Sequence, residues 1–517
     1  MHFARVYSAQ TEALTGHIVS VEADLSRGLF SFTVIGLPDK AVEEARDRVS
    51  AAIKHSELPA PKTHNRKIVV SLAPASLKKE GSHFDLAIAL AYLLAADDIR
   101  FKPDGKLFLG ELALDGGVRK IAGVLPLVRA AKEKGFKEVY VPEENREEAA
   151  LVRGVSIYGV ATLGEVVDHL DTKQKKMTGS KKKQLTRSPE TVIGYAVQEF
   201  PIDISDVRRQ EAAKRALEIA AAGGHNVALY GPAGTGKTML ARAFSSILPP
   251  LSEEEVLEVT GIHSVAGALR EPYLVAPPFR SPHHTASYVS LVGGTANPRP
   301  GEITLAHRGV LFLDEFPEFE RRVLEALREP LEDKTVSVSR SRGTVRFPAN
   351  FILIAAMNPC PCGNAGTNKR CLCLPGNVER YRRKLSGPII DRIDMWIEVP
   401  YVEHMELLNE RQRQTSEMSE AVRARVAAAR ARSWKRFIGT KKKTNSDMTT
   451  KDIEKLSLST DIKEVLAESG RRLMLSPRSI HRILKLSRTI ADLAGEEKIA
   501  LPHVLEALQY RPKILTA

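Results

Sequence analysis

The spacing of apolar and polar positions changes several times along the chain, and each change marks an element. Apolar alternation or short apolar runs at Gly16–Ala23, Leu29–Ile35, Lys67–Leu72 and Lys106–Leu114 predict strands. Between them, Lys40–His55, Phe84–Ala95 and Val124–Lys134 carry helical spacing. Such a mixture predicts an α/β or α+β unit with its own core over residues 1–171. Apolar positions then nearly vanish in Thr172–Glu190 (TKQKKMTGSKKKQLTRSPE), which reads as an exposed basic linker. It serves either as a solvated hinge or as a tether that touches phosphates.

A second unit is expected over residues 191–400. Ile204–Ala222 suits an amphipathic helix, Asn226–Tyr230 (NVALY) a buried strand and Met239–Leu248 a helix. Gly309–Phe316 (GVLFLDEF) and Phe351–Ala356 (FILIAA) are further buried strands. Lys334–Phe347 (KTVSVSRSRGTVRF) has a hairpin signature with Arg340 and Arg342 near its tip. Gly387–Val399 predicts a turn followed by a strand. Residues 401–517 read as helical: Glu403–Lys435, then a polar break at Thr440–Asp447, then Asp461–Gly470, Pro477–Ala494 and Pro502–Gln509. The sequence contains no internal repeat.

At 517 residues the chain is too long for one core. With 43% hydrophobic and 27% charged residues its composition is that of a soluble protein. The net charge of +13 and a pI of about 9.4 favour a polyanionic partner, although a generally basic protein is the plain alternative. Met1–Gln10 lacks the apolar core of a signal peptide, and the longest apolar run, Leu86–Ala96, is too short to span a membrane. These features predict a cytoplasmic protein without a membrane partner. All four cysteines fall within Cys360–Cys373, so no disulfide framework is expected.

The chemistry starts at Gly231-Pro232-Ala233-Gly234-Thr235-Gly236-Lys237-Thr238, which fits the phosphate-loop pattern between a predicted strand and a predicted helix. Glycines let backbone N–H groups curl round an anion, and the helix start adds its positive dipole end. Lys237 would reach the β- and γ-phosphates of ATP, and the Thr238 hydroxyl would complete an Mg²⁺ shell. In such an enzyme Asp314 would hold the Mg²⁺ through water and Glu315 would polarise the attacking water. Asn358, at the end of the next buried strand, would position that water or contact the γ-phosphate. Cys360, Cys362, Cys371 and Cys373 either surround a structural Zn²⁺ or stay as reduced thiols. Arg392, flanked by two aspartates, either reaches into an interface as an arginine finger or forms a local salt bridge to Asp391 or Asp394. Arg478, beside the helix-opening Pro477, faces the nucleotide in this reading.

GPAGTGKT, GVLFLDEF, AAMN and IIDRID occur in that order, and the central unit resembles an AAA+ ATPase. VIGLPDKAVEEARDRVSAAI, FRSPHHTAS, NPCPCG and RTIADL extend the resemblance over the whole chain, to the magnesium-chelatase-like YifB/ComM family. That resemblance implies an α/β AAA+ core with a five-stranded parallel sheet over 191–400, a helical lid over 401–517 and a hexameric ring. It implies an insert in the second helix of the core, roughly Ile262–His307, projecting into the pore with the Lys334–Phe347 hairpin. Arg392 matches the family's arginine finger and Arg478 its second-sensor arginine, acting either within its own subunit or across the interface. His283 and His284 are expected to pack the hairpin or face DNA rather than bind metal.

The first unit resembles the α+β C-terminal domain of Lon proteases, a ribosomal S5 domain 2-like fold, around Lys79-Glu80-Gly81-Ser82-His83. His83 stands where those enzymes have the nucleophilic serine, with Ser82 one position away, and Gly123–Leu127 lacks the catalytic lysine. Peptidase activity is therefore not expected. The family implies an ATP-driven DNA motor, a helicase for branch migration of recombination intermediates in natural transformation. Its partners would be DNA of any sequence, single-stranded or branched, and recombination proteins, with Arg340 and Arg342 as candidate DNA contacts. The competing reading is a magnesium-chelatase-like or chaperone-type remodeller of a protein partner.

Overall fold

A computed structural model describes residues 2–63, 65–173, 184–195, 200–294, 298–340, 343–367, 369–402 and 417–511. The chain divides into two compact units. The first comprises Met1–Gly194, Glu253–Leu274 and Asn297–Arg299; the second comprises Tyr195–Ser252, Val275–Ala296 and Pro300–Ala517.

In the first unit, strands β1 (Phe3–Glu12), β2 (Thr15–Arg27), β3 (Ser31–Ile35) and β4 (Arg66–Ala73) form a sheet in the order β1-β2-β4-β3. Val19, Val21, Ala23 and Leu25 of β2 and Ile68, Val70 and Leu72 of β4 point to one buried face, the period-2 alternation of a sheet with one wet side. The helices Ala45–His55 and Asp85–Ala95 belong to the same core. Asp85 lies fully buried and takes a two-pronged bond from Arg48, at 2.7 and 3.1 Å. Burial pushes its carboxyl up to about 6 despite that arginine. The stretch Lys106–Leu114 divides into β5 (Lys106–Phe108) and β6 (Glu111–Leu112), and β6 pairs with β7 (Val118–Arg119). A parallel sheet of β5, β8 (Glu138–Pro142) and β9 (Ser156–Val160) completes the unit.

The helix Glu253–Val265 belongs to this first unit, although it follows the phosphate-loop helix in sequence. Its Ser264 hydroxyl accepts from the Gly123 N–H at 2.9 Å and donates to Glu148. Glu148, 3% exposed, also accepts from the Leu125 N–H and the Asn145 amide. Burial raises the Glu148 carboxyl, and these three donors satisfy it.

The described end of the predicted linker, residues 184–190, is not free chain. The Ser188 N–H donates to the Ile157 carbonyl at 2.8 Å and the Leu185 N–H to His169 Nδ1, so backbone polar groups beside β9 find partners there. Residues 174–183 lie outside the described part.

The second unit is built on β10 (Val227–Tyr230), β11 (Phe279–Arg280), β12 (Val310–Leu313), β15 (Ile352–Met357) and β16 (Met395–Glu398), with β13 (Thr335–Arg340) and β14 (Gly343–Pro348) as a separate antiparallel ribbon. The five strands run parallel in the order β11-β12-β15-β10-β16, which is the parallel sheet expected. VALY, VLFL and ILIAAM are apolar because both faces of such a sheet are covered. The amphipathic helix expected over Ile204–Ala222 starts later, at Glu211. Ile204–Asp206 forms a separate turn capped by Asp203, and Arg209 at φ 57° interrupts any continuous helix. The helical segment expected from Glu403 is described from Ser419 to Arg436, and residues 403–416 lie outside the described part. Among the described residues no helix is long and apolar enough to cross a membrane.

Candidate active site

Three adjacent strands deliver the candidate residues to one edge of the parallel sheet, where open α/β sheets place their ligands. Gly231–Thr238 follows β10 and leads into the helix Lys237–Ile247; Asp314 and Glu315 follow β12; Asn358 follows β15. Gly234 and Gly236 adopt φ of 77° and 89° with open space where a Cβ would stand, so it is backbone conformation that selects glycine. The loop then presents its N–H groups and the helix start to an anion.

Lys237 Nζ donates to the Gly231 and Pro232 carbonyls at 2.7 and 2.6 Å and to Asn358 Oδ1 at 3.0 Å. The Thr238 hydroxyl donates to Asp314 Oδ2 at 2.7 Å. A hydroxyl and a carboxylate in contact at the end of the phosphate loop are the donor set that a hard divalent cation takes, so these residues fit Mg²⁺. Glu315, in the left-handed region at φ 51°, turns its half-exposed carboxylate towards His284 Nδ1, 2.8 Å away. His284 therefore touches the candidate base directly, a contact not expected from the sequence. No local signal in the sequence ties it to Glu315, because sheet order alone brings them together.

Arg392 and Arg478 lie apart from this cluster, on a cavity of about 370 Å³ that they share with Glu332, Lys334, Asp394, Arg482 and Lys485. Arg392 has its local partner, but it is Glu332 and not the flanking aspartates. Asp394 instead accepts the Asn226 N–H and faces Arg482 and His225, which outweigh burial and hold its carboxyl far below the usual range. The four cysteine sulfurs gather within 4.8 Å of one another. Arg340 closes β13, and Arg342 lies outside the described residues.

A family described as "Magnesium chelatase, subunit ChlI" matches residues 203–407. Its companions, "Subunit ChlI of Mg-chelatase" and "Magnesium chelatase, subunit ChlI C-terminal", match 21–145 and 416–511. The chain is 42% identical over 521 residues to "Competence protein ComM" of Haemophilus influenzae, covering 99% of this chain and 98% of that one. The chain belongs to the YifB/ComM family of magnesium-chelatase-like AAA+ proteins. "Uncharacterized protein YifB" of Escherichia coli is 42% identical over 500 residues, 95% of this chain and 94% of its own. An "Archaeal Lon protease" from Methanocaldococcus jannaschii is 30% identical over 155 residues, 29% of this chain and 22% of its own. The AAA+ core with a Lon-like domain before it agrees with the expected fold. For a YifB/ComM protein, membership implies a nucleotide with Mg²⁺ and points to ATP hydrolysis.

Burial lowers the Lys237 ammonium to about 8, with Asp314 opposing the shift. A bound triphosphate holds that proton more tightly than the free protein does. Nucleotide affinity is therefore full below about pH 8 and falls as the pH rises from there towards the higher pKa of the complex. Binding of a fluorescent ATP analogue is expected to weaken as the pH rises above about 8 in the wild type and to stay flat in Lys237→Ala. Equal pH dependence in both proteins would assign the effect to another group.

Proposed function

We propose that this protein is a ring-forming ATPase that moves on DNA and promotes branch migration of recombination intermediates during natural transformation. The observation that carries the reading is the contact of Lys237 with Asn358 and of Thr238 with Asp314, next to Glu315, in a chain similar from end to end to a protein named for competence. In this reading Lys237 and the loop N–H groups hold the phosphates, and Thr238 and Asp314 hold the Mg²⁺, which neutralises charge as the phosphoryl group leaves. Glu315 accepts a proton from the attacking water, Asn358 orients that water, Arg392 acts from the adjacent subunit of a hexamer, and Arg478 contacts the nucleotide of its own subunit or of the neighbouring one. The β13–β14 ribbon, with Arg340 and Arg342, contacts the DNA backbone, in keeping with a net charge of +13. Contacts to phosphates give little sequence preference and a strong dependence on salt. The cysteine cluster holds Zn²⁺, and the protein works in the cytoplasm.

The family's naming for a magnesium-chelatase subunit favours a second reading, a motor that remodels a protein partner. Steady-state ATPase rates with and without single-stranded and branched DNA separate the two, with Lys237→Ala as the blank. The proposal expects stimulation by DNA that is lost as salt rises. A rate indifferent to every DNA, in a protein that still assembles with nucleotide, would transfer the assignment to the remodeller.

A further inference from the structure

The cysteine cluster lies against the nucleotide loop. Cys360 is buried, with Cys362 and Cys371 Sγ at 3.4 and 3.6 Å from its sulfur, and Cys362 and Cys371 are 3.6 Å apart. Four thiolates at about 2.3 Å from a tetrahedral Zn²⁺ would stand roughly 3.8 Å from one another, so these separations fit a closed metal site. They are far beyond the about 2.05 Å of a disulfide.

Within this knuckle, Cys360 and Gly363 close a turn through the Gly363 N–H and the Cys360 carbonyl, at 3.0 Å. The Gly363 carbonyl then accepts the N–H of Ala233, the third residue of the phosphate loop, at 3.1 Å. Gly363 has φ +74°, and a Cβ on it would fall 2.9 Å from the Ala233 Cβ and 3.6 Å from the Asn358 amide nitrogen. Asn358, two residues before Cys360, meets Lys237, and its backbone meets the hydroxyl of Tyr381 on the helix that follows Cys373. The loop, Asn358 and the cysteine turn are thus fixed to one another by short contacts.

We propose that the cluster is a metal-dependent brace of the nucleotide site. A soft divalent cation, Zn²⁺, held by Cys360, Cys362, Cys371 and Cys373 fixes the turn that fixes Ala233 and Asn358, and its loss lets the phosphate loop relax. The inference rests on the reading of Gly231–Thr238 as the triphosphate site. Losing the Gly363–Ala233 bond and the order behind it lowers nucleotide affinity by about tenfold, near the upper end for one hydrogen bond.

The test uses the full-length protein and a fluorescent ATP analogue with Mg²⁺, read as a dissociation constant alongside metal content. The expected result is one Zn²⁺ per chain, weaker nucleotide binding after a zinc-selective chelator strips it, and recovery on adding Zn²⁺ or Cd²⁺. Gly363→Ala keeps the metal but displaces the turn, and it weakens binding without loss of zinc. Cys362→Ser serves as the third arm, losing metal and affinity together. Unchanged affinity after verified metal removal overturns the brace, and so does a protein that takes up no Zn²⁺ or Cd²⁺. A metal-loaded protein that binds no nucleotide overturns the reading of the phosphate loop itself.

Discussion

Glu315→Gln is expected to bind ATP as the unmodified protein does and to lose turnover by about 10²–10⁴-fold, the range for removing a general base. The substitution preserves size and hydrogen-bonding reach and removes only the ability to take a proton. Glu315 touches neither Lys237 nor Thr238, the groups placed to hold the phosphates and the metal; its contact is with His284 at 2.8 Å. Binding and chemistry should therefore separate cleanly at this position, which they would not at Asp314, bonded to Thr238. Single-turnover ATP hydrolysis paired with equilibrium nucleotide binding measures the split. Comparable turnover in Glu315→Gln would end its assignment as the base.

Arg392→Ala is expected to cost about 10³-fold or more in turnover, the scale of an arginine finger, while each chain still binds nucleotide. Its guanidinium is 14% exposed, paired with Glu332 and the Pro388 carbonyl, and it sits on a cavity separate from the phosphate loop of its own chain. A residue acting across an interface has a distinctive readout. Arg392→Ala supplies an intact loop and Lys237→Ala an intact arginine, so mixing the two inactive proteins should restore part of the activity at hybrid interfaces. If Arg392 only stabilises its own chain through Glu332, the variant melts earlier and mixing restores nothing.

The phosphate loop was legible because its chemistry is contiguous: the glycines, Lys237 and Thr238 occupy one turn. The parallel sheet was legible for a related reason, since strands covered on both faces are written as unbroken apolar runs such as VLFL and ILIAAM. What escaped depended on distance in sequence. Strand β1, FARVYSAQTE, mixes polar and apolar residues and finds its place only by pairing with β2. The pairs His284–Glu315 and Arg392–Glu332 join segments whose separation encodes nothing about contact. The late start of the helix at Glu211 turns on one left-handed residue, Arg209, whose type does not announce that conformation.

The helix Glu253–Val265 makes the first unit discontinuous in the gene. A fragment ending at Gly194 would encode a body without the side chains of Leu257 and Tyr273 over its core, and with Gly123 and Glu148 deprived of Ser264. Exchanging that body between relatives would require carrying Glu253–Leu274 together with the segment that ends at Gly194. Moving either of these without the other would leave the buried Glu148 carboxylate short of a donor.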